Sequence, residues 1–381
     1  MPKVQSRTES EQPYSNHPTV EASLRGKDDG FRGGYEEGYL RGRASKIISK
    51  PPEIFPVRQL HILFVSSGKG YPYSPIDEAI TTTLQSLVTQ VTTVNSGAVI
   101  AEVTAQISPD LVLILDGMYI STEELDCIRE LGFPTAVWLT DDPYYSDLTI
   151  TNVKHYDYVF TLELNCVSLY KQLGCEQVHY LPFGVHTEHY QPLPSRTPSP
   201  LKRDISFIGS AYWNRIHFFR PILTQLMKYN TSFNGIWWNR LPEFPMYQHK
   251  IELGKWMGPV ETAAAYNASK IVINLHRLYD DDTVNNNSLN ITAASPNPRT
   301  FEISACGTLQ LSDARDDLAR FYEPGKEIVT YSSPQDLLEK VRFYLTHEKE
   351  RQEIALAALE RTYRDHTYNT RVNELLSIVF P

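Results

Sequence analysis

The chain has 381 residues, and its 36 Lys and Arg against 45 Asp and Glu leave a formal net charge of −9. That balance excludes the basic footprint of a general nucleic-acid binder, and 41% hydrophobic residues exclude a chain disordered throughout. No apolar run approaches the ~18 residues that span a bilayer, so no transmembrane segment is expected.

No N-terminal stretch joins basic to apolar residues as a signal peptide would. The four cysteines show no CxxC spacing and are too sparse for a disulfide scaffold. A reduced, cytoplasmic protein is therefore expected.

Residues 1–55 stand apart. The opening 1–30 stretch is polar, lacks an apolar period and is expected to be a disordered tail. Next, Tyr35-Glu36-Glu37-Gly38-Tyr39 has the spacing of a short helix. Its flanking glycines cost about 1 kcal/mol each against Ala, so a docking helix and a plain linker both remain open.

A first domain is expected over 56–190. It opens with the continuous apolar run 60–65, suited to a strand buried on both faces. Similar runs follow at 91–94, 111–115, 135–139, 156–160 and 178–181. Between them lie a helical pattern at 76–88, a helix opened by the capping box Ser121-Thr122-Glu123-Glu124 and ending near Gly132, and a helix over 165–173 stopped by Gly174.

The segment 191–203 is expected to be a linker, because four prolines in residues 191–200 fit neither a helix interior nor a central strand. A second domain over 204–365 repeats the alternation. Strands are expected at 204–208, 233–238, 270–275, 308–311 and 327–331. Helices are expected around 215–229, 259–268, 299–306, 333–346 and 348–364. Ser333 and Pro334 supply an N-cap and first-turn proline. A closing helix is expected within 366–381.

The fold class that follows is α/β: two Rossmann-like, doubly wound domains facing a cleft, with C-terminal helices. Ligands in such sheets sit at the carboxyl ends of the strands, and a cleft between domains favours small-molecule sites.

The most informative stretch runs from Asn297 to Leu311: a polar loop, a short helix from Pro298, a stop at Gly307, then a strand. A helix N-terminus offers free N–H groups to phosphate. Arg299 in its first turn adds a charge-assisted fork. Glu302, one turn on, is placed to accept two ribose hydroxyls. The same residues also fit a dipole-complementing acid and a surface cation, and local chemistry alone does not choose. Asp141 and Asp142 follow an apolar strand and precede Pro143. Either could be a general base or part of an Asx turn.

Three weaker signals are discounted. Asp280-Asp281-Asp282 reads as a solvated acidic loop. Gly68-Lys69-Gly70 lacks the remainder of a P-loop. Trp237 and Trp238 fit either a stacking platform or core.

Taken together, several segments resemble the CgeB-like glycosyltransferases of spore-forming bacteria, which have the GT-B architecture. The segments are Arg299-Thr300-Phe301-Glu302 with Ala305-Cys306-Gly307, Ser206 to Arg215, Tyr266 to Arg277, Leu181 to Val185, Trp138 to Pro143, and Asp365 to Tyr368 with Arg371. The resemblance covers about residues 60–380.

It implies a glycosyltransferase of hexosyl or N-acetylhexosaminyl type. The donor would be a nucleotide-diphosphate sugar, a UDP-sugar for preference, with neither metal nor separate cofactor. The acceptor would be a hydroxyl of a spore-surface or cell-envelope polysaccharide, protein or other molecule. Glu302 would hold ribose. Arg299, Asn297 and Thr300 would face phosphates or sugar. Arg215, with Arg220 as a second charge, would neutralise the pyrophosphate. His276 and Arg277 would point into the cleft, and Asp142 or Asp141 would serve as base.

Two departures stand out. Ala294 occupies the place of a second acid common in retaining relatives, and His186 replaces a hinge acid. Two alternatives stay open: a non-catalytic structural or sugar-binding spore-surface protein on the same fold, and a sugar-nucleotide epimerase.

Overall fold

The structure, a computed structural model, describes residues 18–51, 53–193, 201–254 and 256–381. The first sheet contains β1 (Arg58–Ser66), β2 (Val88–Asn95), β3 (Leu111–Leu115), β4 (Thr135–Trp138), β5 (Tyr158–Thr161) and β6 (Gln177–Tyr180), in the order β2-β1-β3-β4-β5-β6. The second contains β7 (Arg203–Ile208), β8 (Thr231–Gly235), β9 (Ile251–Leu253), β10 (Ser269–Asn274), β11 (Leu309–Asp313) and β12 (Val329–Tyr331), in the order β12-β11-β10-β7-β8-β9.

Every neighbouring pair is parallel. Parallel strands are covered on both faces, which is why β3 is a five-residue apolar run buried at each position. In both sheets the winding reverses beside the first strand, at β1/β3 and at β7/β10. Crevices open at the carboxyl ends there.

Several short elements escaped the sequence reading, besides the N-terminal helix described below, among them the one-turn helices Ser146–Thr149 and Phe244–Tyr247. Strand β9 is a three-residue edge with one buried side chain, so it carries no apolar run. The helix Ile100–Ile107 is a two-turn element. The helix expected over 215–229 is broken: Trp213–Phe219 gives way to a single 3-10 turn, Arg220–Ile222, and the short helix Leu223–Leu226. Pro221 lacks the N–H that would continue the ladder.

The C-terminal helices join the halves. Glu348–Asp365 lies against the second domain. Tyr368–Val379 returns to the first, where Tyr368, Val372, Leu375 and Leu376 share a core with Ile62, Phe64, Leu84 and Phe183. The crossing is tight. Val185 bridges Thr367, and a Cβ on Gly184 would stand 2.5 Å from the Thr367 carbonyl carbon.

The N-terminal region differs from a disordered tail. Residues from Pro18 to Ile48 form one helix, so the expectation for 18–30 is corrected, as is the plain-linker option for the Gly-Tyr segment. The helix docks at its end, where Ala44 is buried on Leu356 and Leu359. Arg43 pairs with Glu353, and Lys50 with Glu360. These tertiary contacts offset the glycine penalty. Residues 1–17 and part of the 191–203 linker, 194–200, lie outside the described residues.

Candidate functional site

The two sets of strand ends enclose a cleft of about 490 Å³. Its second-domain wall is built at the β7/β10 switch point. Arg215, in the first turn of the helix after β7, is 1% exposed. Its Nε and Nη2 donate to the Leu275 carbonyl at 3.0 and 2.6 Å, and its Nη1 to the Ser210 carbonyl at 2.8 Å. The guanidinium thus ties the β7 loop to the end of β10 and still borders the cleft. Gly209 fits beside it because a Cβ there would lie 2.9 Å from Nη1. Burial, with the neighbouring Arg299 charge, lowers the Arg215 pKa to about 9.

Arg299 lines the same cleft in the first turn of the helix Arg299–Ala305. Among the described residues neither arginine has a carboxylate within salt-bridge distance. Two adjacent cations without an acid partner form a strong anion site. Glu302 also lines the cleft, and burial raises its pKa to about 7, against the opposing pull of Arg299 and a Tyr190 hydroxyl.

His276 and Asn297 line the cleft but chiefly set its shape. Asp313 accepts from the His276 backbone N–H at 3.0 Å and lies 2.5 Å from its Nδ1, while Nε2 accepts the Asn297 N–H at 3.0 Å. That pattern assigns a neutral imidazole with the proton on Nδ1. Burial lowers the His276 pKa, which agrees. The Asn297 side chain exchanges bonds with Asn274 and accepts the Thr300 N–H at 3.2 Å.

Thr300 differs from the expectation. It is fully buried, its hydroxyl faces Asn297 and Asn274, and it does not line the cleft. Arg220 is also removed from the site: it pairs with Glu243 at 3.1 Å on the surface. Arg277 reaches the cleft inside a cage of Tyr144, Tyr145 and Tyr212, with ring centroids at 4.7, 5.3 and 4.9 Å.

The first-domain wall is acidic. Asp142 is 1% exposed, and its oxygens accept the Thr161 hydroxyl at 2.6 Å and the Tyr170 hydroxyl at 2.7 Å. Burial raises its pKa to about 6. Asp141 is held on one oxygen only. Its Oδ2 accepts the Tyr73 hydroxyl at 2.7 Å, with the Thr140 hydroxyl at 3.1 Å and Lys69 Nζ at 3.9 Å. Its Oδ1 takes no hydrogen bond among the described residues, and burial raises its pKa as well. Asp141 therefore keeps an oxygen for a ligand where Asp142 has both oxygens occupied.

Sequence reasoning missed Glu163, whose signal was the same as that of Asp141: an acid just past a strand's carboxyl end. It lines the cleft and accepts the backbone N–H groups of Asn165, Ala294 and Ser295 at 3.0, 3.1 and 3.1 Å. A first-domain carboxylate thereby fixes the loop leading to Arg299, and the position of the missing acid, Ala294, is one of its anchors. Asp147 holds the same long loop through the Ser288 N–H. His186 and His189 also line the cleft, each with a buried ring nitrogen that has no hydrogen-bond partner among the described residues.

The discounted signals divide. Asp281 accepts from the Thr283 N–H and hydroxyl in a turn, and Asp280 and Asp282 are exposed. Trp238 is core, whereas Trp237 lines the cleft. All four cysteines are free. No helix among the described residues is long and apolar enough to cross a membrane.

Residues 215–377 match a family model described as glycosyl transferase-like. The chain is 29% identical over 324 residues to the spore protein CgeB of Bacillus subtilis, covering 84% of this chain and 98% of that protein. Sucrose-phosphate synthase from Thermosynechococcus elongatus has a similar structure, with TM-score 0.59 and 10% identity over 85% of this chain and 99% of that one. HepE from Anabaena, solved with UDP and glucose, gives TM-score 0.59 and 12% identity over 84% of this chain and all of the other (100%). At these identities the two structures speak for the fold.

Proposed function

We infer that this chain, a CgeB-like glycosyltransferase of the GT-B architecture, takes its sugar from a UDP-sugar and passes it to a hydroxyl of a spore-surface or cell-envelope acceptor. One observation carries the donor assignment: Arg215 and Arg299 converge beside Glu302 at the switch point of the second sheet, and among the described residues neither has a carboxylate within salt-bridge distance. A diphosphate supplies the missing charge. HepE, of the same fold, is solved with UDP and glucose, which supports the choice of nucleotide.

In this reading the guanidinium of Arg299, at the positive end of its helix dipole, receives the diphosphate. Arg215 adds buried positive charge from behind. Glu302 accepts the ribose hydroxyls. Charge developing on the leaving diphosphate is stabilised by groups already oriented, so the step needs no metal. Across the cleft, Asp141 Oδ1 takes the proton of the attacking hydroxyl. The transferred sugar is of hexosyl or N-acetylhexosaminyl type.

A thermal-shift series with UDP, UDP-glucose, UDP-N-acetylglucosamine and GDP, each with and without EDTA, tests the reading. A ligand at about 100 times its Kd adds roughly 2.7 kcal/mol. A UDP-selective rise that survives EDTA is expected. No rise with any nucleotide contradicts the donor site.

A further inference from the structure

The loops at the carboxyl ends of β1 and β3 carry two exposed rings. Tyr71 is 60% exposed and Tyr119 68%. Lys69 packs against Tyr119 and Tyr73, with Nζ 5.7 Å from the Tyr119 ring centroid and 4.4 Å from that of Tyr73. Lys69 is already neutralised: it lies 2.8 Å from Asp116 and 3.9 Å from Asp141. Among the described residues, the first-domain side of the cleft is lined by no Lys and no Arg, whereas it carries Asp141, Asp142 and Glu163.

Tyr71 also stands at the mouth of the cleft, facing the second domain. A Cβ on Gly258 would come within 3.5 Å of its hydroxyl. The mouth thus combines the Tyr71 ring, the Tyr119 ring beyond the lining and joined to Asp141 through Lys69, a carboxylate oxygen that takes no hydrogen bond among the described residues, and a negative field.

We propose that the acceptor is a neutral glycan, with the apolar faces of its pyranose rings on Tyr71 and Tyr119 and its reacting hydroxyl on Asp141. A phosphate- or uronate-bearing chain would meet like charge with no cation to receive it. A serine or threonine side chain would leave both rings uncovered. A neutral sugar matches each component: C–H faces for the rings and a hydroxyl for the carboxylate. The proposal rests on the transferase reading for the identity of the reacting hydroxyl, and on the exposed rings for the class of molecule.

The test is calorimetric titration of the full chain, with and without UDP. The probes are neutral tetrasaccharides of gluco, galacto, manno and rhamno configuration, a tetragalacturonate and a serine-rich peptide. At least one neutral tetrasaccharide is expected to bind. Its affinity should fall roughly tenfold in Tyr119→Ala and in Tyr71→Ala, and hold in Tyr119→Phe, which keeps the ring. Binding of the uronate or the peptide in preference overturns the proposal. So does an unchanged affinity in both alanine variants, or UDP binding without binding of any neutral tetrasaccharide. Glycan binding without UDP binding upholds the acceptor class and removes the donor assignment instead.

Discussion

The two walls of the cleft differ in sign. The wall at the ends of β7 and β10 presents Arg215 and Arg299 with no carboxylate within salt-bridge distance among the described residues, and the wall at the ends of β4 and β5 presents Asp141, Asp142 and Glu163. The backbone plan is the same on both sides, parallel strands ending at a crevice. The division of labour therefore lies in which side chains stand at the strand ends, and in how they are held. Under the proposed function the cationic wall stabilises the leaving diphosphate. Under the same proposal the acidic wall accepts the proton.

That comparison is broken most severely at Asp141. Asp141→Asn is expected to lower turnover by about 10²–10⁴ and to leave UDP affinity unchanged, as measured by initial rates and by calorimetry. Asp142→Asn should keep most of the turnover, because both oxygens of Asp142 serve Thr161 and Tyr170. If Asp142→Asn proves the more damaging, the assignment of the base is reversed.

On the opposite wall, Glu302→Gln should weaken UDP binding roughly tenfold, through loss of charged hydrogen bonds worth about 1.5–3 kcal/mol. Glu302 has a pKa near 7 in the ligand-free fold, so the carboxylate that the proposed function assigns to ribose forms as pH rises through that value. UDP affinity should therefore increase from about pH 6 to 8 and lose this dependence in the Gln variant. A wild-type affinity flat across that range would remove Glu302 from the ribose site.

Stability gives a smaller contrast. The folded pKa of Asp142 is about 6, raised from 3.8. A raised carboxylate contributes stability that is fully present below the unfolded value and lost as pH rises through the folded one. Two units correspond to about 3 kcal/mol. The Tm of Asp142→Asn should be at or above wild type at pH 7 and should vary less between pH 4 and about 6. A steep loss of Tm at pH 7 would show that the charge itself holds the loop.

Removing residues 1–38 should leave Tm nearly unchanged, whereas removing 1–50 uncovers Leu356 and Leu359. The second truncation should cost about 2–4 kcal/mol, the worth of two buried aliphatic faces. Equal Tm values for the two truncations would show that the docked end of the helix adds nothing.

What could be read beforehand followed the range of the interaction. Continuous apolar runs located eleven of the strands, because a strand covered on both faces encodes its burial in its own residues. The edge strand β9 and the long N-terminal helix did not show. One buries a single residue. The other relies on partners such as Glu353 and Leu359, some 310 residues away.

The site followed the same rule. Arg299 and Glu302 belong to one helix turn, and their spacing could be read directly. Asp141 and Asp142 could not be separated, since the difference between them is which hydroxyls arrive from Tyr73, Thr161 and Tyr170. Thr300 sits in the expected turn, but Asn274, on a neighbouring strand, draws its hydroxyl inward.

The most direct test of the two-wall account is the UDP dissociation constant of Arg299→Met set beside that of Asp141→Asn, both measured by calorimetry on folded protein. Losing a charge-assisted fork should weaken UDP binding by about 10- to 100-fold in Arg299→Met, and Asp141→Asn should bind as wild type does. Equal affinities in the two variants, or a larger loss in Asp141→Asn, would contradict it.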